Sequence, residues 1–156
     1  MSNRIAISNS VRKSFNELRN IAENFDLSDV INRYIQDYSV SSDIAELHAR
    51  EFLRYLVVSQ SFPSLEFPMA GPADDFWHVF LIFTRKYLLI CEKLSGKFLH
   101  HEPVTNYSLS EKQDALSQYN FFLTAYRDLY VMEPPQMVWP RFSSDFQSHS
   151  AEFKIL

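Results

Sequence analysis

The side chains in this sequence that could carry chemistry gather between Asp74 and Pro103. That stretch holds the only cysteine, Cys91, three of the five histidines, His78, His100 and His101, and one of the two tryptophans, Trp77. Thiolate and imidazole are ligands for zinc and other borderline metals, so His78, Cys91, His100 and His101 read first as one metal set. Helical geometry divides them. Thirteen residues of α-helix advance about 20 Å, whereas both ligands must lie about 2.0–2.3 Å from the ion. His78 and Cys91 therefore share a metal only if the helix between them breaks, and neither Gly nor Pro stands there to break it.

Two smaller clusters result. Asp74 and His78 are four residues apart, close enough on one helix face for the carboxylate to orient the imidazole. Cys91 meets His100 and His101 if the chain turns at Gly96, and an antiparallel third helix adds His48 as a fourth ligand. Against these stand plainer roles. Asp74 serves as a helix-capping carboxylate with a hydrogen-bonded histidine beside Trp77, and Cys91 as a small buried thiol, the commonest state of free cysteine. A thiol deep in an apolar helix has its pKa raised, which argues against Cys91 as a nucleophile. No phosphate-binding glycine loop, nucleophile elbow, His-Glu-x-x-His motif or EF-hand loop is present.

The elements that must position these residues are helices. Ser10 opens a first helix to about Asn24, with Val11, Phe15, Leu18, Ile21 and Ala22 at the spacing of one buried face. A second runs from Asp26 or Ser28 to Tyr38 with Val30, Ile31, Tyr34 and Ile35 inward. A third starts at Ser42 and Asp43 and reaches about Ser59, turning Ile44, Leu47, His48, Phe52, Tyr55, Leu56 and Val58 to the core. Residues 62–72 carry three prolines and a glycine, which makes them an irregular loop, either a lid or a crossover wrapped on the core. Apolar positions almost all the way round predict a central, buried fourth helix over about 73–95, stopped by Gly96. Ser110-Glu-Lys-Gln113 reads as a capping box opening a fifth helix to about Val131, which Pro134 and Pro135 end. The expectation is an all-α, single compact domain of about five helices over residues 1–140, with a polar, partly ordered tail at 141–156 on which Phe142, Phe146 and Phe153 can dock back.

Composition narrows the function classes. A chain of 156 residues with 46% hydrophobic content buries one core without staples, and 14 Phe and 8 Tyr make that core aromatic. A net charge of -4 gives no electrostatic footprint for nucleic acid or anionic lipid. One cysteine forms no internal disulfide, and no apolar run approaches the ~20 residues of a spanning helix. The reading is a cytoplasmic protein without nucleic-acid or membrane partners, whose partner is a protein or a small ligand.

The pattern Asp74-x-x-Trp77-His78, Leu81, Thr84, Tyr87, Cys91, Gly96-x-Phe98-Leu99-His100-His101-x-Pro103 resembles the signature of small bacterial proteins labelled glycine-rich domain-containing protein-like, and is similar to a segment of plant glycine-rich domain proteins. Tyr119, Thr124, Tyr126, Tyr130, Pro134-Pro135 and Trp139-Pro140 resemble that family's C-terminal part. The two blocks span about Pro72 to Pro140. This chain lacks the glycine-rich tail and has Tyr130-Val131 where relatives often have Phe-Gly. The resemblance implies a compact helical domain and singles out Asp74, Trp77, His78, Thr84, Tyr87, Cys91, His100 and His101 as a set; it implies no reaction. RNA binding, suggested by the wider context of the plant proteins, runs against the net charge.

Two functional readings follow. The leading one is a non-enzymatic binding or protein-interaction module whose surface is made by Asp74, Trp77, His78, Thr84 and Tyr87 with the proline-rich loop. The alternative is a metalloprotein, zinc being the cofactor considered, with Cys91, His100, His101 and His48 as ligands. In a hydrolase of that kind Glu102 is the available acid or base.

Overall fold

The computed structural model describes residues 4–102 and 108–142. Among them there are six helices and no strand: α1 (Asn9–Glu23), α2 (Ser28–Tyr38), α3 (Ser42–Ser61), α4 (Pro72–Ile82), α5 (Thr84–Ser95) and α6 (Leu109–Tyr130). The all-α expectation holds. The tail at 143–156, with Phe146 and Phe153, lies outside the described residues, while Phe142 packs on Tyr119.

Helix starts follow side-chain capping. Ser8 and Ser41 accept the N–H groups of Val11 and Ile44 and open α1 and α3. At α6 the capping box is Ser108 with Glu111, two residues before the predicted Ser110 and Gln113. Glu is the charged partner for the exposed N–H groups at the start of the helix, and the Ser108 amide lowers the Glu111 pKa by its hydrogen bond.

The predicted helix over 73–95 is two helices. It breaks at Phe83, whose ψ of 61° leaves the helical region and whose N–H bonds back to Phe80 instead of the residue four before. The buried positions Ala73, Phe76, Trp77, Phe80, Tyr87, Ile90, Cys91 and Leu94 continue one stripe across the break, so periodicity gives no warning of it. The local contribution comes from Ile82-Phe83-Thr84, three consecutive residues of modest helix propensity. The hub of the bundle is α3, which packs against every other helix.

The proline-rich loop is a crossover. Phe67, Met69 and Ala70 are buried, Phe67 stacks on Phe121, and the Tyr55 hydroxyl donates to the Phe67 carbonyl. The loop ends at Gly71, with φ +84° and ψ −166°, a backbone conformation essentially confined to glycine. A Cβ there would also run into the Val138 carbonyl oxygen and come within 3.1 Å of Pro140. At Gly96, φ is +71° but a Cβ meets nothing within 4 Å. Gly96→Ala is expected to cost about 1–2 kcal/mol from backbone strain, and Gly71→Ala a further ~1–3 kcal/mol from the clash. Denaturant unfolding of both variants checks the order; equal losses would mean that the 138–140 segment yields at no cost.

Candidate metal centre

Asp74 sits in the first turn of α4, behind Pro72 at the helix start, where a carboxylate is favoured by the helix dipole. His78 follows one turn later on the same face. His101 arrives from the extended segment after α5. The three converge: His101 Nε2 is 2.8 Å from Asp74 Oδ1 and 3.2 Å from His78 Nε2, and His78 Nε2 is 3.7 Å from the same carboxylate oxygen. The side chains of Asp74 and His101 are 11% and 5% exposed and that of His78 is 46% exposed, so the cluster is walled on one side and open on the other. Among the described residues these three are the group of His, Cys, Asp and Glu side chains whose ligand atoms meet closely enough to hold an ion.

Trp77 builds the wall. Its ring stacks on His101 at 3.8 Å between centroids and 14° between planes. Its Nε1 donates to the Tyr87 hydroxyl, which in turn donates to the Leu99 carbonyl. Tyr87 is fully buried, and burial, followed by the neighbouring Cys91 thiol, holds its phenol well above the usual range, so it remains a donor. Thr84 is exposed at the start of α5. Beside the cluster lies a groove of about 920 Å³, lined among the described residues by Tyr55, Phe67, Met69, Trp77, Leu99 and His101 together with neighbours from α3 and α6. Asp74 and His78 do not line it.

The set Cys91, His100, His101 and His48 is not brought together. Cys91 is fully buried, and burial pushes its thiol pKa up. His100 is exposed and its ring meets the edge of Phe98. His48 pairs through Nδ1 with the Tyr34 hydroxyl at 2.8 Å, and burial lowers its pKa, favouring neutral imidazole. Of the four, only His101 reaches the cluster, and it does so with Asp74 and His78. Sequence reasoning placed Asp74 beside His78 but gave His101 to Cys91. The two adjacent histidines point to different places, and nothing local in the sequence says which one turns inward.

Fold and cluster together define a class: an all-helical domain carrying two imidazoles and a carboxylate on the first helix of a broken pair and the segment that follows it. A family model described as UCP032817-like matches residues 17–135, and the chain belongs to that family. The match takes in α2 to α6 and the C-terminal half of α1; its description names neither an activity nor a glycine-rich relative. Searches of the curated proteins and of the solved structures find no match. No helix among the described residues is long and apolar enough to cross a membrane.

Proposed function

We propose that this domain binds a divalent first-row transition ion through Asp74 Oδ1, His78 Nε2 and His101 Nε2, and uses the ion's open coordination positions to hold a ligand. The observation that carries this reading is the triangle of donor atoms. Donors about 2.1 Å from an ion stand about 3.0 Å apart at octahedral angles and about 3.4 Å apart at tetrahedral ones. The three separations are 2.8, 3.2 and 3.7 Å. A circle through the three atoms has a radius of about 1.9 Å, so an ion at metal-ligand distance from each would sit just off their plane.

Proton inventory supports the same conclusion. His101 Nε2 carries at most one hydrogen yet faces both the carboxylate oxygen and the His78 nitrogen. A cation satisfies all three atoms at once. Two imidazoles and one carboxylate suit zinc and iron(II), and such sites keep coordination positions open. The binding end of α4 and the metal site are then one place, with Trp77 as its wall. A hydrolytic version would draw on Glu102, exposed next to His101 and lining the groove.

Elemental analysis of protein purified without a polyhistidine tag, followed by zinc titration of the chelator-stripped protein, tests the reading. The expected result is about one equivalent per chain. Protein that arrives without metal and binds no zinc at micromolar concentration would overturn it.

A further inference from the structure

We propose that Tyr87, on α5, is the positioning device for His101: a side-chain clasp that sets the third ligand opposite Asp74 and His78. This rests on the metal-site reading above. His101 needs such a device because it is the donor not built on α4. It stands on residues 97–102, which belong to no helix, and its distance from Asp74 depends on how that segment is held.

Two routes run from Tyr87 to His101, and both pass through one oxygen. The Tyr87 hydroxyl donates to the Leu99 carbonyl, which fixes the backbone two residues before the ligand. The same hydroxyl accepts from Trp77 Nε1 at 3.1 Å, which fixes the indole on which the His101 ring is stacked. Backbone and ring plane of the ligand are thus set together. The Phe98 ring adds an edge contact to Tyr87, with centroids 5.3 Å apart. Partners that orient a metal ligand typically change affinity by 10–100-fold when removed.

The test has a metal-free arm and a metal arm. In the metal-free protein, the ring protons of His101 should be shifted upfield by the stacked indole, and Tyr87→Phe should diminish that shift while the shifts of α1 and α2 stay in place. In zinc titrations, Tyr87→Phe should weaken binding about 10–100-fold. Wild-type His101 shifts and wild-type zinc affinity in Tyr87→Phe would overturn the clasp. A wild-type chain that binds no zinc, with the His101 shift still lost in Tyr87→Phe, would remove the metal reading and leave the clasp standing. If Tyr87→Phe does not fold, Trp77→Phe, which loses the indole N–H bonded to the Tyr87 hydroxyl, decides: wild-type zinc affinity in it would overturn the proposal.

Discussion

Asp74→Asn is expected to weaken zinc binding by more than 100-fold, with little change in the fold. Asparagine keeps the shape of the side chain and one carbonyl oxygen, so the variant removes charge without opening a hole. That charge is the only negative one among the three donors, and a side chain 11% exposed has little water to replace it. Removing a direct ligand should exceed the 10–100-fold loss typical of outer partners, and 100-fold corresponds to about 2.8 kcal/mol of binding free energy. The structural penalty is smaller: a carboxylate in the first turn contributes about 0.3–1 kcal/mol through the helix dipole. Competition against a colorimetric zinc chelator gives the affinity, and circular dichroism gives the fold. A dissociation constant within tenfold of wild type would show that Asp74 orients His101 without touching the ion.

How much of this was legible in the residues depends on the distance over which each feature is decided. Helix ends are local, and Ser8, Ser41 and Gly96 stand within a residue or two of where the pattern places them. The pairing of Asp74 with His78 is also local, four residues on one face. The break at Phe83 is not, because the apolar stripe runs through it in register and the modest helix propensity of Ile82-Phe83-Thr84 is too weak a local signal to mark it. Nor is the choice between His100 and His101, which is made by the Trp77 ring and the Leu99 carbonyl acting across the site. The largest omission is Glu51, absent from the apolar side of the third helix because a glutamate defaults to solvent.

Glu51→Ala is expected to destabilise the domain by about 3–5 kcal/mol, the usual result of breaking a buried ion pair from one side. Glu51 is fully buried on α3. Its Oε2 accepts from the Tyr126 hydroxyl at 2.9 Å and from Trp139 Nε1 at 3.0 Å, and its Oε1 accepts from Arg54 at 2.9 Å. The Arg54 guanidinium lies over the Tyr130 ring at 5.0 Å and also donates to the Tyr126 hydroxyl. One carboxylate thus ties α3 to α6 and to the 138–139 segment, partners 75 and 88 residues away. Alanine would leave a buried phenol and a buried indole N–H without their acceptor and would strip the Arg54 guanidinium, 21% exposed, of its carboxylate. Against a typical total of about 5–15 kcal/mol, the loss should lower the thermal midpoint by roughly 6–20 °C. Glu51→Gln, which keeps one carbonyl acceptor, should lose less, and pairing it with Arg54→Met should restore part of the difference by removing the stranded cation. The 138–140 segment also packs over Gly71 at the entrance to α4. Glu51 therefore connects the stability of the bundle to the helix that carries Asp74 and His78, and zinc affinity should fall in Glu51→Ala although the residue touches no ligand. An unfolding free energy within about 1 kcal/mol of wild type would show that the three donors find other partners and that the network is incidental to the fold.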